Sequence, residues 1–138
     1  MDSNANTRLI AVSARIQVNT GEGVLIGGFI ISGASPKTIL IRGIGPTLSA
    51  FGVTGVLADP QLTVFSGRTV IGTNDDWGTG NNPATMTAAF AQVGEFALAS
   101  GSKDAAMLLT LNPGAYTVHL SGVAGATGIG LIEIYDTQ

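Results

Sequence analysis

The sequence predicts an all-β protein: an antiparallel β-sandwich of jelly-roll character, with seven to eight strands and one or two short helical insertions. Three observations lead there. Short runs rich in Val, Ile, Leu, Thr and Tyr recur along the 138 residues, each bounded by Gly, Pro, Asn or Ser, which is the signature of strands and turns. Leu9–Asn19 alternates cleanly, with Ile10, Val12, Ala14, Ile16 and Val18 on one face and Ser13, Arg15 and Gln17 on the other, a period of two. The last third, from Asp104 to Tyr135, divides into three strand-like runs at Asn112-Pro113-Gly114 and at the glycine-rich Gly122–Gly128. Pro presets φ for a turn, and Gly supplies the positive φ that often follows it.

The polar residues 1–8 read as an N-terminal arm and residues 9–138 as one domain, long enough to bury a core. After the alternating first strand and the turn Thr20–Gly23, Val24–Ser32 reads as a near-continuous apolar strand. Its central Gly27-Gly28 suggests a bulge or a close backbone approach. Lys37–Ile44 follows, with Ile39 and Ile41 opposite Leu40 and Arg42. Gly45–Gly52 has Pro near its start and Gly at its end, a helical turn by the usual asymmetry. Gln61–Ser66 and Arg68–Thr73 flank Ser66-Gly67 as a hairpin. Asn82-Pro83 reads as N-cap and first residue of a helix through Val93, closed by Gly94, with Met86, Ala89, Phe90 and Val93 on its buried face. Asp104–Leu111, Ala115–Ser121 and Ile129–Tyr135 are expected to pair in sequence as an antiparallel meander.

Composition narrows the function classes. Charged residues make up 11%, against roughly 25% in an average soluble domain, so apolar surface is left for partners to cover. The net charge of −3 and six scattered Lys and Arg residues give no basic stripe for nucleic acid. No apolar run approaches the roughly 18 residues of a membrane span, so no membrane insertion is expected. Cysteine is absent, which removes disulfides, thiol catalysis and thiolate metal sites. The segment MDSNANTR has neither part of a signal peptide.

From Asp59 onward the elements DPQLTVFSG, VIGTNDDW and LTLNPGAYTVHLSGVAGATGIGLIEIYD resemble the bacterial pre-peptidase C-terminal domain, a β-sandwich appended to secreted proteases and other exported proteins. TILIRGIGPTLSAFGVTGVLADPQL and SKDAAMLLTLNPGAYT are similar to an uncharacterised repeat-type domain of long secreted bacterial surface proteins, a likeness running from about Leu9 over nearly the whole chain. These resemblances imply export to the bacterial cell surface or medium and a binding or structural role, without a known activity.

Asn74-Asp75-Asp76-Trp77 is the most chemical-looking stretch. Its oxygen-bearing side chains, with Asp59, suit a structural Ca²⁺, which takes six to eight oxygen ligands. The pre-peptidase resemblance points the same way. The competing reading is a turn, because Asn and Asp commonly bond their own backbone. No other cofactor is expected. Arg42-Gly43-Ile44-Gly45-Pro46-Thr47-Leu48 follows a strand like a phosphate-cradling loop, but Leu48 replaces the third glycine and no βαβ unit surrounds it, leaving a structural turn. His119 is the sole histidine and falls on a polar strand face. Glu22, Glu95 and Glu133 stand as isolated carboxylates without an acid–base partner. With no serine elbow either, no enzyme is expected. Trp77 is the candidate ligand-stacking residue; with Tyr116 and Tyr135 it would make a sugar platform, against the commoner reading of core aromatics.

Two function classes follow. The first is a non-catalytic extracellular module that self-associates into a homo-oligomer, filament or layer, with Leu9, Ile10, Val12, Ile16 and Val18 as a donor strand adding to a sheet edge. The second is an accessory module binding polysaccharide, peptide or Ca²⁺ for a larger exported protein. The second faces of the strands, through Leu9, Leu25, Phe65, Leu108 and Ile132, discriminate the two by their exposure.

Overall fold

The structure, a computed structural model, describes residues 8–12, 16–18 and 24–137, the first two segments as backbone only. Two sheets face each other. Sheet one holds β4 (Lys37–Ile44) between β7 (Ala105–Leu111) and β9 (Gly128–Asp136), with β1 (Arg8–Val12) and β2 (Ile16–Val18) along the other side of β9. Sheet two runs β3 (Leu25–Ile31), β8 (Gly114–Gly122), β5 (Pro60–Ser66), β6 (Thr69–Asn74). Every strand pairing is antiparallel. The β-sandwich read from the sequence is what the chain forms.

The path between the strands differs from the expectation. β7, β8 and β9 are no meander: β7 and β9 flank β4 in sheet one, while β8 lies between β3 and β5 in sheet two. Each turn of the last third carries the chain across to the opposite sheet. Among the described strands, β5 and β6 are the only consecutive pair joined in one ladder. A turn's residues set its backbone angles but not which sheet the next strand enters; burial on both faces decides that. Sheet one's β4 reads Ile39–Ile44 fully buried, so its neighbours must also carry apolar residues on both faces, and β7 and β9 are the strands that do.

The alternating first strand is divided in the structure into β1 and β2, both paired with β9, with a register shift between Leu9 and Ala11. Residues 1–7 lie outside the described residues, and Arg8, assigned to the arm, opens β1 opposite Asp136. The Gly27-Gly28 bulge does not occur: β3 pairs with β8 in unbroken register from Leu25 to Ile31. The irregularity of sheet two lies instead on β6, where Ile71 is the extra residue between Gly72 and Val70, the partners of Val64 and Phe65 on β5.

Two cores result. The first fills the space between the sheets with Phe29, Ile39, Ile41, Leu62, Leu120 and Ile132 among its members. The second lies on the outer face of sheet one, under α1 (Pro83–Gln92) and its flanking loops, where Leu40, Ile44, Trp77, Met86, Phe90 and Tyr135 meet. Helix α1 starts as its sequence indicates, the Asn82 side chain accepting from Ala84 and Thr85 N–H at 3.0 and 3.1 Å, and Met86, Ala89 and Phe90 are its buried residues. The turn after β4 is a 3₁₀ helix, Pro46–Phe51, ended by Gly52 at φ 86°.

Glycine at position 45 is set by space, not by flexibility. A Cβ there would lie 2.1 Å from the Leu57 carbonyl oxygen, whereas at Gly52 it would meet nothing within 4 Å. We expect Gly45→Ala to destabilise by at least about 3 kcal/mol, because backbone cannot yield. Gly52→Ala should cost about 1–2 kcal/mol for its left-handed backbone. Chemical denaturation of the two variants checks this; equal losses would contradict the packing described.

Candidate functional site

Asn74, the last residue of β6, shapes the loop it opens. Its amide nitrogen donates to the Asp76 and Thr79 carbonyls, both at 3.1 Å, and its oxygen accepts the Ala106 N–H at 3.1 Å. Those bonds pin the loop to β7, with one lone pair of the Asn74 oxygen engaged by the Ala106 N–H. Trp77 is 4% exposed. Its indole N–H donates to the Ala99 carbonyl at 3.0 Å, and its ring tilts against Phe90 at 5.5 Å. A buried ring in this setting is no open stacking platform: the residue anticipated as a ligand contact belongs to the second core. It also lines a cleft of about 280 Å³, whose rim includes Asp76, Ser102 and Lys103.

The carboxylates are the unsettled chemistry of this end. Asp59 Oδ1 and Asp76 Oδ1 are buried and make no hydrogen bond among the described residues. Burial pushes the Asp59 carboxyl above its usual range; Lys103 opposes the shift, and Asp76 and Asp75 add to it. The Lys103 ammonium stands 3.9 Å from Asp59 Oδ2 and is largely in solvent, a loose pair. Among the described residues no three His, Asp or Glu side chains converge as a metal ligand set. Asp59 and Asp76 therefore offer two unsatisfied oxygens, and any cation there would take its remaining ligands from backbone carbonyls and water.

The turn after β4, which looked like a phosphate loop, has its anion built in. The Asp104 carboxylate, fully buried, accepts the Gly45 and Thr47 N–H groups at 2.8 and 3.2 Å and the hydroxyls of Thr47 and Ser102. Backbone N–H groups that would hold a phosphate hold this side chain instead, and the turn is structural.

Sequence reasoning missed the largest charge cluster. Arg42, fully buried on β4, faces Glu133 on β9 in register. Its Nε donates to Glu133 Oε1 at 2.9 Å and a terminal nitrogen donates to the Phe96 carbonyl at 2.6 Å; Glu95 stands 3.7 Å from the other terminal nitrogen. The guanidinium lies 4.3 Å from the Phe96 ring centre and 5.0 Å from that of Phe90, within cation–π range. Burial pushes Glu133 up despite Arg42, and pushes the Tyr135 hydroxyl up with help from the neighbouring carboxylates. Glu95 and Glu133, read as isolated, converge here from residues far apart in sequence. A signal existed: one interior charge in each of two strands otherwise charged only at their ends, Lys37 and Asp136, in a chain so poor in charge, calls for a mutual partner. Arg42 and Glu133 are buried while Glu95 is part-exposed, and the cluster ties the segment after α1 to sheet one.

The two outer faces of the sandwich differ. Sheet one's is covered by α1 and its loops. Sheet two's is open, and there Ile26, Ile30 and Val70 are 59%, 72% and 51% exposed. His119 sits on that face, half-buried, its ring 4.6 Å from Phe65. Of the residues whose exposure discriminates the function classes, Leu25 and Ile132 are buried and Phe65 and Leu108 are half-buried. The side chains of Leu9, Ile10, Val12, Ile16 and Val18 lie outside the described residues; their backbones are paired with, or beside, β9 of the same chain. Among the described residues no helix is long and apolar enough to cross a membrane.

No protein-family model matches the sequence, and no curated protein does. Among solved structures, the pre-peptidase C-terminal domain of collagenase from Bacillus anthracis superposes with a TM-score of 0.52 at 11% identity, over 91% of this chain and 89% of that one. The chain shares the β-sandwich fold of that domain. A cycloisomaltooligosaccharide glucanotransferase of Paenibacillus sp., complexed with cycloisomaltoheptaose, aligns with 95% of this chain and 18% of its own at 13% identity. Its TM-score of 0.38 is too low to bear on the fold.

Removing Arg42 should expose what it holds. Arg42→Leu leaves Glu133 buried without its cation, and we expect a loss of about 3–5 kcal/mol at neutral pH. The sign of the pH effect follows. A carboxyl raised above its unfolded value favours folding while protonated, and that contribution is lost as pH rises through the folded value. Arg42→Leu raises Glu133 further, so the variant's stability should fall more steeply than the wild type's between mildly acidic and neutral pH. Denaturation midpoints across that range check it; parallel pH profiles would contradict the pairing.

Proposed function

We propose that the chain is a non-catalytic, self-associating structural module of an exported bacterial protein. The observation that carries this reading is the asymmetry of its outer faces: one covered by a helical layer, the other open, with no Asp, Glu, Lys or Arg in its two cross-strand rows and with Ile26, Ile30 and Val70 exposed. A net charge of only −3 gives little repulsion between copies. The sequence resemblances to domains of secreted proteins, and the sandwich shared with a collagenase's pre-peptidase C-terminal domain, support a non-catalytic module of an exported protein. Growth into a filament or layer would need a contact that does not close on itself. Strand addition by residues 9–18 is one such contact, made by giving β9 of another copy the pairing that β1 and β2 now make within the chain. Sedimentation of the full chain should show the mean mass rising above 13.9 kDa with concentration. A single monomeric species at every concentration would move the accessory, ligand-binding module, with a polysaccharide or peptide partner, into first place.

A second reading concerns the loop end. Two buried carboxylate oxygens without hydrogen bonds, on Asp59 and Asp76, favour a cation such as Ca²⁺ that stabilises the β6–α1 loop, with Asp75 as the adjoining carboxylate. Millimolar Ca²⁺ should then raise the thermal midpoint, since a ligand at about 100 times its Kd adds about 2.7 kcal/mol. The Asp59→Asn, Asp76→Asn double variant should lose the response. No shift in the wild type would leave Lys103 as the only compensation for these groups.

A further inference from the structure

The strand register places the outward residues of sheet two in two rows across all four strands. One row is Ile26, His119, Thr63, Thr73; the other is Gly28, Thr117, Phe65, Val70. Ile30 continues the first column beside Ala115. None of these residues is charged, although the charged side chains among the described residues populate sheet one, the loops and the turns. A partner that binds by charge has nothing to grip here. Burying the face strands no fixed charge either, so an identical face meets it without electrostatic penalty.

The second row is also complementary to itself in shape. Its two small members, Gly28 and Thr117, occupy β3 and β8, and its two bulky ones, Phe65 and Val70, occupy β5 and β6. Gly28 is an open notch between exposed Ile26 and Ile30; a Cβ added there would meet only the Tyr116 carbonyl, at 3.4 Å. We propose that this face docks a second copy of the chain about a two-fold axis running along the strands between β8 and β5. That operation sets Val70 over Gly28 of the second copy and Phe65 over its Thr117, bulky group against small one, twice per interface. The contact rests on the self-association reading above and gives it a surface. It closes as a dimer; longer assemblies would need a further contact.

Area sets its strength. Four strands about 4.8 Å apart and about seven residues long, at about 3.4 Å each, cover roughly 450 Å² per copy. Two copies together bury about 900 Å², near the lower limit of about 1,000 Å² for a specific interface, which means a weak dimer. Dissociation in the range of about 0.1–1 mM is expected.

The absence of cysteine makes the test clean. Positions 28 and 70 lie three strand spacings apart within one chain, about 14 Å, beyond the roughly 7 Å that a disulfide can bridge. Facing sheets pack about 10 Å apart, also beyond a direct disulfide, so a thiol-to-thiol crosslinker of about that reach should convert the Gly28→Cys, Val70→Cys double variant into a covalent dimer, and should convert neither single variant. Val70→Lys, at an exposed position, should weaken association measured by sedimentation at least tenfold while leaving the circular dichroism and thermal midpoint unchanged. Association that persists undiminished in Val70→Lys, or that is abolished only by deleting residues 1–18, overturns this contact and leaves the self-association reading standing. A wild type that stays monomeric to millimolar concentration overturns both.

Discussion

The buried charge of Arg42 is the constraint on which the rest of the molecule turns. A guanidinium cannot shed its proton, so a fully buried one must be given counter-charges and acceptors, or the sheet around it cannot form. Glu133 supplies the first from the neighbouring strand. Glu95 and the Phe96 carbonyl supply the rest from the segment after α1, and the rings of Phe90 and Phe96 lie beside its plane. The excursion between β6 and β7 is thereby drawn down over sheet one. An apolar residue at position 42 with an apolar partner would satisfy a sandwich equally well; what the ion pair adds is a reason for this segment to close in this place.

That closure makes the two sheets unequal. With its outer face covered, sheet one becomes an interior layer, flanked by a core on each side. Sheet two keeps a solvent face bearing Ile26, Ile30 and Val70. Asp76 lies at the start of the same β6–β7 excursion, where Asn74 fixes the backbone, and Asp59, immediately before β5, comes near it from another stretch of chain.

Local signals in the sequence were legible wherever they were self-contained. The span of β4, the β5–β6 hairpin and the Asn82 cap of α1 all follow from residue type and period. The order of strands within the sheets was not, because Asn112-Pro113-Gly114 serves equally well to fold back within a sheet or to cross to the other. Trp77 illustrates the same limit at the candidate site: an aromatic beside two aspartates reads as a binding residue until α1, starting only at Pro83, is seen to cover it. Arg42 and Glu133 were each visible as interior charges in mostly apolar strands, yet only the β4–β9 register joins them. Gly45 likewise reads as a flexible turn residue; the Leu57 carbonyl that forbids a side chain comes from a different stretch of chain.

The central claim is that this sandwich works through the uncovered face of sheet two. Amide chemical shifts followed across a concentration series of the full chain test it most directly. The account predicts progressive, saturating shifts confined to β3, β8, β5 and β6, centred on Gly28, Thr117, Phe65 and Val70. Shifts centred on β1, β2 and β9, or none at all, would contradict it.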